Sequence, residues 1–170
     1  MTSINQLLLL FAFIGLLGCE PDDKFTGVAA GARGRYVVTA YIVSGDTLFS
    51  LLPGSTGYKP GINKIGITNF TIAIDVIESD QLSIKTVYWR KGLQSTFSKK
   101  VVVRLTNYNY QFSLIETNPP SAYEGSVGRF SGFFYERTLG GGLLIPLADS
   151  LTNSSQSPSQ DVVIIAQPVR

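Results

Sequence analysis

The chain contains no histidine and only one cysteine among its 170 residues. Without histidine, Ser-His and Cys-His catalytic pairs and histidine-ligated metal sites are excluded, and a single cysteine permits no internal disulfide. Paired carboxylates are the remaining catalytic option, because Glu116, Glu124 and Glu136 could converge from adjacent strands. No spacing of these acids favours that option, and no calcium-loop pattern occurs. The sequence therefore predicts a protein that is not an enzyme and uses no metal or cofactor.

Charge is sparse and nearly balanced. The chain has 14 Lys and Arg against 12 Asp and Glu, a formal net charge of +2. Its basic residues are spread along the chain, with Lys99 and Lys100 as the densest pair, and no basic block indicates a nucleic-acid partner. Beyond the first apolar run, no stretch is long and apolar enough to suggest a membrane-spanning helix.

The one long apolar run lies at the start of the chain. Residues 7–17 carry no charge, which is typical of the core of a secretory signal and too short to span a bilayer. Leu16-Leu17-Gly18-Cys19 closes this run and resembles the lipobox of bacterial lipoproteins. The resemblance implies cleavage just before Cys19, a diacylglyceryl group on its thiol and an acyl group on the new amino terminus. The mature chain would then be held on a membrane by its lipid.

The residues after the cysteine bear on where the anchor faces. Glu20-Pro21-Asp22-Asp23 resembles an acidic signal that sends lipoproteins to the outer surface of the outer membrane, but the same composition suits a solvated linker. Periplasm-facing and surface-exposed positions on the outer membrane therefore both stay open. We predict a signal peptide over residues 1–18, the acylated cysteine with a flexible linker over 19–32, and one β domain over 33–170.

Most of the chain reads as β structure. Runs rich in Val, Ile, Thr, Tyr and Phe are separated by Gly, Asn, Asp, Ser or Pro, and many of the links are short enough to require antiparallel neighbours. The candidate strands cover residues 35–43, 47–52, 64–67, 70–78, 82–90, 97–106, 110–116, 127–137 and 162–167. Residues 53–61, 117–126 and 146–160 read as long loops.

Alternation indicates that most strands bury one face. Phe70, Ile72 and Ile74 point to one side of their strand, and Val101 and Val103 share one side of theirs, as in a barrel wall or a sandwich layer. The segment 162–166 is apolar throughout, which predicts a closing strand.

The order of these elements resembles a known family. Gly34-Arg35-Tyr36 at the head of the first strand, the strands at roughly ten-residue spacing, and the closing segment 161–166 are similar to the lipocalin-like domains of small bacterial lipoproteins. In this chain Tyr36 stands where the family usually has tryptophan. The resemblance implies an antiparallel up-and-down barrel of about eight strands, with a cup for a small apolar ligand. A Greek-key β-sandwich is the alternative.

Aromatic residues are concentrated in the second half of the chain and could line such a cup. We expect Tyr88, Phe133 and Tyr135 to be ligand-binding residues. In the candidate strand 127–137, Phe133 and Tyr135 share one face with Val127. An ordinary aromatic core is the competing interpretation.

Two other classes of function stay open at this point. The protein could be a surface adhesion module whose exposed aromatics and long loops contact a glycan or a protein, or a structural subunit of an envelope assembly.

A short motif in one of the long loops suggests a modification. Asp149-Ser150-Leu151 resembles the acceptor sequence of a bacterial O-glycosylation system that acts on exported proteins. The resemblance implies glycosylation of Ser150.

Overall fold

A computed structural model describes residues 26–55, 57–115, 122–139 and 161–169. These residues form ten strands and one short 3-10 helix, Val28–Ala32. The strands are β1 (Gly34–Val43), β2 (Asp46–Gly54), β3 (Gly57–Asn63), β4 (Ile67–Glu78), β5 (Gln81–Arg90), β6 (Leu93–Thr106), β7 (Asn109–Leu114), β8 (Ala122–Gly128), β9 (Phe134–Leu139) and β10 (Val162–Pro168). Cys19 and Ser150 lie outside the described residues.

Eight of the described strands close into an antiparallel barrel. The order around the wall is β1-β4-β5-β6-β7-β8-β9-β10, and β10 pairs with β1 from Tyr36↔Pro168 to Val43↔Val162. The prediction of a lipocalin-like up-and-down barrel is confirmed, with β10 as the closing strand, and the Greek-key alternative is wrong. Closure gives each strand of the wall a paired strand on both sides.

The hairpin β2–β3 is additional to the barrel. One edge of β1 pairs with β10, whereas the other pairs first with β4, at Gly34–Val37, and then with β2, at Ala40–Val43. The described residues of the expected loop at 53–61 form the tip of β2, Ser55 and most of β3, and every residue of β3 is exposed. Proline is tolerated there because an edge strand needs hydrogen bonds on one side only, so the Pro and Gly content did not prevent strand formation.

The tight turns between neighbouring strands follow the sequence signals. Both central residues of three turns have positive φ, as type I′ hairpin turns require. These are Ser44 (48°) with Gly45 (82°), Lys91 (51°) with Gly92 (79°), and Asn107 (48°) with Tyr108 (64°). The turns hold the strand register that decides which side chains enter the barrel.

A floor closes the barrel at the end where β1 begins. The 3-10 helix brings Ala29 and Ala32 to complete burial, and the N–H of Ala29 donates to the carbonyl of Ser79 at 3.0 Å in the β4–β5 turn. Residues 28–32, which the sequence placed in the linker, therefore pack as part of the domain.

Two groups of aromatic rings pack in the interior. The centroid of Phe70 lies 5.8 Å from that of Tyr41, 5.6 Å from that of Phe49 and 5.9 Å from that of Tyr88. The second group has Phe134 between Tyr36 at 5.9 Å and Phe112 at 6.4 Å. Such pairs contribute roughly 0.5–1.5 kcal/mol each beyond their buried area. These rings supply much of the apolar lining of the barrel.

Tyr36 folds back over Gly34, and the glycine is needed for that arrangement. A Cβ on Gly34 would lie 2.6 Å from the Tyr36 hydroxyl oxygen, while the same hydroxyl donates to the carbonyl of Ala32 at 3.5 Å. We expect Gly34→Ala to lower the free energy of unfolding by roughly 1–3 kcal/mol through overpacking. Urea denaturation measures it. In a Tyr36→Leu background the same change should cost much less, and an equal cost in both backgrounds would contradict this account.

Candidate ligand site inside the barrel

Three polar side chains from separate strands meet inside the barrel. Lys99 on β6 has the parity of the buried Val101 and Val103, and Glu136 on β9 has that of the buried Phe134. Their side chains are 14% and 3% exposed. Tyr123 joins them from β8. We call these three residues the interior cluster.

The interior cluster is held together by charge and hydrogen bonding. The Lys99 Nζ forms an ion pair with Glu136 Oε1 and lies 4.9 Å from the centroid of the Tyr123 ring, within cation–π range. The Tyr123 hydroxyl donates to the other carboxylate oxygen, Oε2, at 3.4 Å. Both oxygens of the buried carboxylate therefore have partners, which a buried ion pair needs to offset its desolvation.

A glycine makes this arrangement possible. A Cβ on Gly125 would lie 2.5 Å from the Tyr123 hydroxyl oxygen and 3.0 Å from Cδ2 of Phe112. Because Gly125 has no side chain, the tyrosine ring can lie across β8 toward Glu136, the register partner of Gly125 on β9.

The tyrosines of the interior are kept neutral. Burial raises the pKa of Tyr123 well above its usual value, and the charge of Glu136 and its hydrogen bond to the hydroxyl raise it further. The pKa of Tyr41 is also raised, first by burial and then by the nearby Tyr88. Both hydroxyls are therefore protonated donors at neutral pH.

Two hydroxyl groups near the interior cluster have no hydrogen-bond partner among the described residues. They are Tyr41 Oη and Thr138 Oγ1, and both residues are at most 2% exposed. Tyr41 on β1 is the strand-pairing partner of Ile164 on β10, which in turn is the partner of Glu136 on β9. Thr138 on β9 is the strand-pairing partner of Tyr123 on β8. An unpaired buried hydroxyl costs about 1–3 kcal/mol. Each hydroxyl could bond to a polar atom from outside the chain if the neighbouring side chains moved to admit it.

The structure separates the three residues expected to line the cup. Tyr88 is buried and faces the interior, whereas Phe133 and Tyr135 are exposed. The expectation of one common lining is corrected for the last two, because residues 127–137 are not one strand. A turn around Gly132, whose φ is +67°, separates β8 from β9 and resets the alternation, so that Phe134 faces inward instead.

The sequence held one signal for the missed residues. Lys99 has the same parity as Val101 and Val103, so the alternation already placed a lysine on the core face of β6. Glu136 was singled out only as a possible catalytic acid, and its predicted neighbour Glu124 is exposed on the outer face. Nothing in the sequence indicated that Lys99 and Glu136 would pair across Tyr123.

A second concave feature lies outside the barrel. The β2–β3 tip, the end of β10 and Val37 enclose an open cleft of about 550 Å³, across which the Tyr58 hydroxyl bonds to the Gln167 amide oxygen. Among the described residues, no charged side chain lines this cleft. It therefore lacks the convergent charged groups that the interior cluster has.

Comparison with protein-family models gives no match, and comparison with curated proteins gives none either. Within the described ranges, no helix has the length and apolar character needed to cross a bilayer. The same residues contain no group of three or more acidic, cysteine or histidine side chains placed to hold a metal ion.

Proposed function

We propose that this protein is a non-enzymatic lipoprotein of the bacterial cell envelope whose barrel binds a small amphipathic ligand. The observation that carries the ligand proposal is that the buried hydroxyls of Tyr41 and Thr138 have no hydrogen-bond partner among the described residues. Eight-stranded barrels of this kind are wide enough to hold one small ligand.

The charges of the interior cluster indicate the chemistry of the ligand. Lys99 and Glu136 neutralise each other, so neither is available to a charged ligand without breaking the pair. The free hydroxyls can donate to or accept from a neutral group such as a hydroxyl, carbonyl or amide. The aromatic rings of Tyr88 and Phe70 offer an apolar lining for the rest of the molecule. The proposed ligand is therefore a neutral amphiphile.

The anchor is supported by the chemistry of the amino-terminal sequence. Cys19 is the only thiol, it follows an uncharged apolar run and a glycine, and acidic residues come next. One acyl chain holds a protein on a bilayer only marginally, whereas several chains on one residue hold it stably. Attachment to the outer membrane, facing the periplasm or the surface, is part of the proposal.

Mass spectrometry tests the ligand proposal. The full chain is expressed in a bacterial host, extracted from membranes in mild detergent, and examined for molecules bound without covalent attachment. We expect a neutral amphiphile to co-purify with the unaltered protein. Markedly less of it should co-purify with the Tyr41→Phe or Thr138→Val variant. Tyr36→Phe is the matched control, because its hydroxyl contacts Ala32 at the floor.

The stability of the same two variants provides a second test of the ligand proposal. If no ligand co-purifies and Tyr41→Phe and Thr138→Val each gain about 1 kcal/mol of stability, the hydroxyls are merely unpaired and the ligand proposal fails.

The anchor is tested separately by fatty-acid labelling of cells. Label should appear on the unaltered chain and be lost with Cys19→Ser. Recovery of the unprocessed full-length chain without acyl groups would overturn the anchor proposal.

A further inference from the structure

One end of the barrel carries a group of exposed apolar side chains. The exposed fractions are 80% for Phe130, 67% for Tyr108, 50% for Phe133 and 45% for Leu105. We call these four residues the end patch. They lie on the β6–β7 and β8–β9 turns and the strand ends beside them. A contiguous exposed group of this kind marks an interaction site more often than single scattered apolar residues do.

The two turns of the end patch are tied to each other. The rings of Tyr108 and Phe130 lie 5.6 Å apart, and the N–H of Arg129 donates to the carbonyl of Tyr108 at 2.9 Å. Within the second turn, the N–H of Gly132 donates to the carbonyl of Gly128 at 2.8 Å. Tyr108 also adopts a φ of 64°, which is rare for an aromatic residue. The fold thus holds these rings outward in a defined arrangement.

The end patch lies at the end of the barrel where the described chain begins. In an up-and-down barrel, the β4–β5, β6–β7 and β8–β9 turns share one end with the start of β1, and the N–H of Ala29 bonds to Ser79 in the first of these turns. Seven residues lead from Cys19 to Thr26. Even fully extended they span at most about 25 Å. An anchor on Cys19 therefore keeps this end near the membrane.

Charge near the end patch is mixed. Arg104 and Arg129 are exposed beside it, and the Arg129 guanidinium lies 5.9 Å from the Phe130 ring centroid. Glu78 and Asp80 are exposed on the β4–β5 turn at the same end. The negative charges of these acids offset the positive charges of the arginines, so attraction to anionic lipid is weak. The aromatic side chains therefore supply most of the affinity of this end for a membrane. Aromatic rings beside arginine are typical of proteins at the bilayer interface.

We propose that the end patch inserts into the interface of the bilayer that holds the anchor, so that the barrel stands with its floor against the membrane. This proposal rests on the acylation of Cys19 proposed above. Phe130 and Tyr108 enter the headgroup region, and the opposite end, with the β1–β2 and β5–β6 turns, points away from the membrane.

The two ends of β6 allow a matched test. Thr106 and Gln94 are both exposed and lie near opposite ends of this strand, about 40 Å apart along it. Because an acylated Cys19 has no free thiol, Thr106→Cys and Gln94→Cys each provide one site for a fluorescent label. The labelled lipoprotein is reconstituted in phosphatidylcholine vesicles that contain nitroxide-bearing lipid.

We expect strong quenching of the label at position 106 and little at position 94. Phe130→Ser combined with Tyr108→Ser should remove the quenching at 106. Leu93→Ser, which alters an exposed apolar residue at the far end, should keep it, as should the conservative Phe130→Leu. Thermal unfolding checks that each variant is folded.

Two results would overturn the end-patch proposal. The first is equal quenching at both positions, which would also be found if the patch binds a glycan or a protein instead. The second is full quenching at 106 in the folded double serine variant. If Cys19 itself takes the fluorescent label and the protein no longer binds vesicles, both the anchor and the end-patch proposal fail. If the label is found only at the introduced cysteine and neither position 106 nor position 94 is quenched, only the end-patch proposal fails.

Discussion

Replacing Lys99 with methionine is expected to lower the free energy of unfolding by roughly 3–5 kcal/mol at neutral pH. Methionine keeps most of the apolar stem but leaves the Glu136 carboxylate buried and without its cation. The side chain of Glu136 is only 3% exposed, so bulk water solvates the carboxylate poorly once the lysine is removed. Urea denaturation followed by circular dichroism measures the change.

A double variant separates the cost of an unpaired charge from that of lost packing. Lys99→Met combined with Glu136→Met should recover most of the lost stability, because buried ion pairs are often replaced by apolar residues at little cost. The matched control is Lys64→Met, which removes a 2.6 Å ion pair to Asp46 at the surface. That change should cost less than about 1 kcal/mol. If Lys99→Met cost no more than this control, Lys99 and Glu136 would not form a buried pair in solution.

Raising the pH above about 10 is expected to reduce stability steeply. Burial raises the pKa values of Tyr41 and Tyr123 in the folded protein, whereas in the unfolded chain both ionise near pH 10. The unfolded state therefore releases protons first, and stability falls as the pH rises from the unfolded toward the folded pKa. In that pH window each tyrosine lowers the free energy of unfolding by about 1.4 kcal/mol per pH unit, so the two together lower it by about 3 kcal/mol per pH unit.

Urea denaturation at a series of pH values from 9 to 11 measures this slope, with tyrosinate absorbance as a second readout. Below pH 10 the contribution is complete and the slope from these two residues vanishes. Tyr41→Phe and Tyr123→Phe should each lower the alkaline slope by about 1.4 kcal/mol per pH unit, and the double variant by about 3. Burial also raises the pKa of Tyr36, so a smaller slope remains in the double variant. An unchanged slope in the double variant would show that other groups control alkaline unfolding.

The interior cluster could be anticipated only in part. The parity of β6 places Lys99 with Val101 and Val103, a lysine in a core position that calls for a partner. Glu136 could not be assigned as that partner, since the face it occupies depends on the break between β8 and β9. Tyr88 was placed correctly because β5 is continuous and its alternation is not interrupted.

The wrong placement of Phe133 and Tyr135 has a specific cause. A strand read through Gly128 and Gly132 keeps one parity, but the structure turns between these glycines and begins a new strand at Phe134. Glycine is compatible with both a strand and a turn, so composition alone did not distinguish the two cases.

Local patterns were sufficient for the β class and for most of the hairpins and their tight turns, because alternation and turn chemistry involve residues close together in the chain. They missed most of β3 and of β8, which fall in segments rich in Gly, Pro and Ser that the sequence assigned to loops. The proposed anchor at Cys19 likewise depends on a short segment alone. Ring closure, the floor made by residues 28–32 and the meeting of Lys99, Tyr123 and Glu136 depend on the tertiary structure. Each joins residues far apart in sequence, and their contact energies arise only when the closed barrel has brought the strands into register.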